Sequence, residues 1–179
     1  MQTYIAFLRG INVGGHGLIK MSELKEALAA AGLSDVRTYI QSGNVIFRTK
    51  PTDTAKLALA IAATIQASFD LAVDVAVFSK DEWRTLMDAA PKWWGTDNSR
   101  KHNLLIVLQP TKAGDVIAEL GELKPDVEAL EAGQSVLYQS LSLAHFGRTS
   151  AHKLVGKPIY KRLTIRNYNT ARKLLDLLG

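Results

Sequence analysis

The chain has 179 residues, no cysteine, 22 lysines and arginines against 17 aspartates and glutamates, and a formal net charge of +5 at pH 7. Disulfides, thiolate metal sites and a cysteine nucleophile are thereby excluded, which fits a reducing interior. The chain shows neither a basic leader followed by an apolar core nor an apolar run long enough to span a bilayer, so a cytoplasmic protein without a membrane partner is expected.

Thr3 to Leu8 alternates and is rich in aromatic and β-branched residues, which predicts a strand. Arg9 to Ile19, beginning RGINVGG, is a glycine loop. A helix follows, with Ser22 as N-cap, Glu23 in its first turn, Leu24, Ala27, Leu28 and Ala31 on one face, and Gly32 as its stop. Two short strands, Val36 to Ile40 and Val45 to Thr49, flank Gln41-Ser42-Gly43-Asn44, a tight-hairpin signal. Asp53 starts a long helix whose Leu57, Ile61, Ile65 and Phe69 recur every four residues, and Val73 to Phe78 is the next strand.

This order predicts an α+β fold whose N-terminal half, residues 1–80, is a ferredoxin-like βαββαβ unit. Its first and third strands are then neighbours, so the glycine loop and the Gln41 to Asn44 turn share one end of the sheet and can build one site. Residues 81–179 form a second, less regular α+β subdomain packed with the first. It runs through a helix at Asp81 to Ala89, an aromatic-basic loop at Pro91 to His102, a strand at Asn103 to Gln109 and a helix at Lys112 to Leu120. Strands at Val127 to Leu130 and Val136 to Leu141 follow, then a helix around Thr149 to Val155 and a last one from Tyr168 to Leu178. The order admits a degenerate second copy of the first unit, although no residue-by-residue repeat is visible.

The positive charge sits in the tail. From His145 onward there are Arg148, Lys153, Lys157, Lys161, Arg162, Arg166, Arg172 and Lys173 against the single acid Asp176. Such asymmetry points to an anionic partner, a small molecule or a nucleic acid, and equally describes a solvated basic face.

Four stretches, RGINVGG at Arg9 to Gly15, YIQSGNVIF at Tyr39 to Phe47, KHN at Lys101 to Asn103 and TIRNYNTARKL at Thr164 to Leu174, together resemble the domain of unknown function 1697 family of small bacterial proteins. The resemblance spans nearly the whole chain. It implies an α+β fold with a ferredoxin-like half and no established activity. Members often carry tryptophan where this chain has Tyr168, and Ser150-Ala151-His152-Lys153-Leu154 replaces a shorter Ser-Lys-Leu.

The glycine loop lies where phosphate loops lie, before a helix N-terminus. It fits neither standard pattern, because His16-Gly17 stands where a P-loop needs Lys followed by Ser or Thr, and Lys20 stands where GxGxxG needs its last glycine. A structural turn needing positive φ explains the glycines equally. Arg166 and Asn167 open the last helix: Asn167 is explained by capping alone, whereas Arg166 adds a group that grips phosphate or carboxylate. Trp93 and Trp94 beside Lys92, Arg100 and Lys101 either stack rings or plug a joint. Gly43-Asn44-Val45-Ile46-Phe47 lacks the aromatic of an RNA-recognition strand. Ser150-Ala151-His152-Lys153 matches S-x-x-K without its partner motifs, and Ser42 lacks the glycine of a nucleophile elbow. His16, His102, His145 and His152 show no metal spacing, so no metal or cofactor is expected.

The reading that results is a binding protein for an anionic ligand, with Arg9, Asn12, Gln41, Ser42, Asn44, Arg166 and Asn167 as contacts. Two alternatives stand beside it: an enzyme acting on a phosphorylated or acidic substrate through Ser42 or His16, and a non-catalytic structural or interaction protein. The sequence carries no signal for oligomeric state.

Overall fold

The computed structural model describes residues 1–179, the side chain of His152 excepted. The chain begins β1 (Gln2–Leu8), α1 (Met21–Ala30), β2 (Ser34–Tyr39), β3 (Asn44–Thr49), α2 (Thr54–Phe69), β4 (Val75–Ser79) and α3 (Lys80–Asp88). It continues β5 (Arg100–Val107), α4 (Ala113–Leu120), β6 (Glu128–Ala132), β7 (Val136–Ser142), α5 (Ala151–Leu154), β8 (Leu163–Asn167) and α6 (Tyr168–Leu178). The fold is α+β, with two four-stranded antiparallel sheets ordered β2-β3-β1-β4 and β6-β7-β5-β8. By contacts the chain divides into one unit of Met1–Arg84 with Leu177–Gly179 and a second of Thr85–Asp176.

In the first unit the two-residue period of β1 sorts its side chains. Tyr4, Ala6 and Leu8 join Leu24 and Leu28 of α1 and Leu57, Ile61 and Ile65 of α2 in one core cluster. Phe7 on the opposite face meets Phe78 and Trp83 at ring-centroid distances of 6.0 and 4.8 Å. The Asp53 carboxylate accepts the Lys56 amide at 3.0 Å and caps α2, as the sequence predicts. Ser22 does not cap α1. The helix starts two residues earlier with Lys20 at its N-cap, no side chain caps it, and Lys20 instead pairs with Glu23 at 3.0 Å.

The second unit repeats the element order strand, helix, strand, strand and lays its strands in the same spatial order as the first, with β5, β6, β7 and β8 in the places of β1, β2, β3 and β4. The degenerate copy is therefore present in topology. Its fourth strand, β8, takes in Arg166 and Asn167, which the sequence places at the opening of the last helix. Its apolar residues Leu163 and Ile165 alternate with Thr164 and Arg166, and the strand buries these two polar residues as well. The predicted helix at Thr149 to Val155 contracts to the four residues of α5, flanked by 3-10 turns at Phe146–Arg148 and Pro158–Arg162. The aromatic-basic loop is shorter than expected, because Arg100, Lys101 and His102 already belong to β5.

Candidate functional site

The glycine stretch is neither a phosphate cradle of the standard kind nor a tight corner; it is a hairpin. The Asn12 amide donates to the Gly17 carbonyl at 3.0 Å, the His16 amide donates to the Val13 carbonyl at 3.1 Å, and Val13 and His16 form an isolated antiparallel bridge. Gly14 and Gly15 at its tip have φ of 60° and 78°, the two positive angles that a type I′ turn demands. Val13, Gly14, Gly15 and His16 are all exposed. A Gly-Gly pair between β-compatible residues is the sequence signal for this turn, and it stands in the chain as Val13-Gly14-Gly15-His16.

Asn12 fastens the base of this hairpin. Its amide nitrogen donates to the carbonyls of Ile19 at 3.0 Å and Gln41 at 2.9 Å, while its Oδ1 accepts the Ile19 amide at 2.9 Å. All three bonds are internal, so the side chain acts as a brace. The bond to Gln41 also joins the two loops at one end of the sheet, where β1 and β3 pair with Phe7 opposite Asn44. A second tie is the Leu8 amide, which donates to the Gly43 carbonyl at 2.8 Å. Gly43 sits at φ 71°, and a Cβ there would lie 2.7 Å from Leu8 Cβ and 2.9 Å from the Ile11 side chain, so glycine is required by close approach.

Asn44 is fully buried, and its Nδ2 donates to the Tyr39 carbonyl and to Ser42 Oγ, both at 3.0 Å. This binds the 41–44 turn to the strand before it and engages the Ser42 hydroxyl. Arg9 is half-buried, with its amide donating to the Asp74 carbonyl at 2.9 Å, and Gln41 is exposed. Five of the seven residues singled out in the sequence, Arg9, Asn12, Gln41, Ser42 and Asn44, thus meet at one end of the first sheet. Of these, Asn12 and Asn44 hold the backbone, Gln41 is exposed and Arg9 is half-buried.

The remaining two lie in the second unit. Arg166 is buried in β8, where its Nη1 donates to Thr164 Oγ1 at 2.8 Å and to the Ile165 carbonyl at 2.9 Å. Burial lowers its pKa from the ordinary 12.5 to about 10, and at neutral pH the guanidinium stays charged. Asn167 accepts the Thr170 amide on Oδ1 at 2.8 Å, which is the capping bond of α6.

Trp94 is a plug. It is buried, donates through Nε1 to the Asn103 carbonyl at 2.9 Å, and meets Tyr138 and Tyr168 edge-on at 5.3 and 4.8 Å. The Ser150 hydroxyl and amide donate to Glu128 Oε2 at 2.7 and 2.8 Å, so the serine of the S-x-x-K match anchors a chain crossing. The side chain of His152 lies outside the described residues. His102 Nε2 bonds to the Asp97 carbonyl at 3.0 Å. Among the described residues, no group of three or more acids and histidines could hold a metal ion, and no helix is long and apolar enough to cross a membrane.

No curated protein matches the chain. Among solved structures, a conserved bacterial protein from Streptococcus pneumoniae is similar, with 28% identity, 99% of each chain covered and a TM-score of 0.89. Residues 1–138 match the model of a protein of unknown function (DUF1697), and the chain belongs to that family.

Proposed function

We propose that the protein binds an anionic ligand, a phosphorylated small molecule, at the end of the first sheet where the glycine hairpin and the Gln41 to Asn44 turn meet. The observation that carries this reading is an internal comparison. The connection from β1 to α1 takes residues 9–20, whereas the connection between the corresponding elements β5 and α4 takes only 108–112. Connections of two to six residues suffice for such units, and longer ones in compact domains are commonly functional. The extra residues here are spent on a hairpin that projects into solvent and is braced at its base by Asn12. Glycines at its tip leave backbone amides open to close approach, and Arg9 at its root supplies a cation.

In this reading Asn12, Ser42 and Asn44 position the site, while Arg9, Gln41 and the Gly14 and Gly15 amides touch the ligand. Arg166 Nη1 and Asn167 Oδ1 are engaged within their own strand and helix, so the reading is carried by the first unit. A reducing, cytoplasmic setting is proposed on the same footing, from the lack of cysteine.

The test is a thermal-shift screen with phosphorylated metabolites and nucleotides, because a ligand at about 100 times its Kd stabilises the folded state by about 2.7 kcal/mol. For a protein of this size that corresponds to a shift of roughly 5–10 °C. The shift should vanish in Arg9→Gln. A full shift in that variant, or no shift with any phosphorylated compound, overturns the reading. Product formation from a stabilising compound would make the site catalytic.

A further inference from the structure

In the first unit the link between the third and fourth strands is α2, sixteen residues long, whose Leu57, Ile61 and Ile65 seal the sheet. The second unit fills the same place with residues 143–162, which make two 3-10 turns and the four residues of α5. Leu154, supported by Ile159 and Tyr160, packs this segment onto the core formed with Val116 and Leu120 of α4. The outward side is unlike an ordinary surface. Arg148, Lys153, Lys161 and Arg162 are exposed, with Leu143, Phe146 and Val155 exposed among them. No aspartate or glutamate occurs between Glu131 and Asp176. Two cations of the segment reach acids elsewhere in the unit, Arg148 to Asp126 at 2.7 Å and Lys157 to Glu119 at 3.6 Å.

We infer that residues 143–162 form a docking surface for single-stranded nucleic acid, separate from the ligand site of the first unit, with Lys153, Lys161 and Arg162 taking phosphates and Phe146 taking a base. Charge complementarity carries the choice of partner. A surface that needs only solubility interleaves both signs, whereas this segment contributes no acid of its own, and the two acids that its cations reach, Asp126 and Glu119, pair with Arg148 and Lys157 and not with Lys153, Lys161 or Arg162. The cations are distributed along the segment, Lys153 in α5 and Lys161 and Arg162 in the 3-10 turn at Pro158–Arg162, which suits a string of phosphates better than one phosphate. Phe146, exposed in the same segment, gives the π-face that single strands use for sequence-tolerant stacking.

The experiment is fluorescence anisotropy with a labelled uridine oligonucleotide at about 50 and about 200 mM salt. Three phosphate contacts to a single strand give a slope of about −2 in log affinity against log salt, hence roughly 20-fold weaker binding at the higher concentration. The triple variant Lys153→Gln, Lys161→Gln, Arg162→Gln should lose at least about tenfold at low salt and flatten the salt dependence. Phe146→Ala should weaken binding about tenfold and leave the slope unchanged, because stacking releases no counterions. All four side chains are exposed, so melting temperatures should not move. Arg9→Gln should bind the oligonucleotide as the wild type does, which separates this surface from the ligand site. Four results would each overturn the inference: no binding at low salt, wild-type binding by the triple variant, loss of binding in Arg9→Gln, or preference for phosphatidylglycerol vesicles over the oligonucleotide.

Discussion

Asn12→Ala tests the brace under the hairpin. The side chain makes three hydrogen bonds, two as donor to the Ile19 and Gln41 carbonyls and one as acceptor from the Ile19 amide. Each is worth about 0.5–1.5 kcal/mol net, and because Asn12 is half-exposed water can replace part of the loss, so the lower half of that range applies. Together they contribute about 2 kcal/mol. Asn12 also stands at φ 53°, where asparagine is tolerated and alanine costs roughly 1 kcal/mol more. The expected loss is therefore about 3 kcal/mol for Asn12→Ala. Asn12→Gly removes the same bonds but relaxes the backbone, and adds only the entropy of a freer unfolded chain, so it should cost less than alanine by roughly 0.5–1 kcal/mol. Urea denaturation of both variants, read at a common m-value, measures the difference. If Asn12→Ala lost less than about 0.5 kcal/mol, or if glycine were worse than alanine, the amide would not be the brace that its geometry describes.

Three further outcomes follow from the same structure. Asn44→Ala should cost about 1–3 kcal/mol, because it removes a fully buried amide that donates to both the half-buried Tyr39 carbonyl and Ser42 Oγ; denaturation showing no loss would make Asn44 a ligand contact again. Gly43→Ala should cost more than about 2 kcal/mol, since its Cβ would press on Leu8 and Ile11 and its φ is left-handed; a variant of wild-type stability would show that the two loops give way easily. Burial raises the Tyr138 hydroxyl from 10.0 to about 12, with Glu131 adding to the shift, and the hydroxyl donates to the Leu86 carbonyl. A folded pKa above the unfolded one means that this contribution is whole below pH 10 and is lost as pH rises through about 12. Tyr138→Phe should accordingly flatten the alkaline loss of stability, and an unchanged alkaline profile would contradict the assignment.

The first unit was legible because its elements are local and regular. Asp53 caps where it should, Leu57, Ile61 and Ile65 line one face, and the βαββαβ order alone places β1 beside β3 and so brings RGINVGG to the 41–44 turn. The second unit resisted for physical reasons. β8 offers only two apolar residues, Leu163 and Ile165, and it buries Arg166, which depends on partners that a linear pattern does not display. The segment from 143 to 162 carries no helical period because it makes turns, with Leu154 as its single fully buried aliphatic anchor. The topological repeat survives both irregularities, since strand order is set by which faces must be buried and tolerates wide variation in the connections.

The same comparison changes what glycine richness means in RGINVGGHG. Three of its four glycines answer local demands: Gly14 and Gly15 supply the positive φ of the turn, and Gly17 allows approach to the Gly10 carbonyl, which a Cβ would meet at 3.1 Å. None of these demands needs an anion. The helix that would lend its dipole starts only at Met21, with Glu23 already in its first turn and paired to Lys20. A carboxylate there complements the dipole that a phosphate would use. In the proposed reading an anion at this end of the sheet would therefore be held by the hairpin tip and Arg9, several residues before α1. The helix N-terminus, the usual reason for reading a glycine loop as a phosphate site, has no part in it.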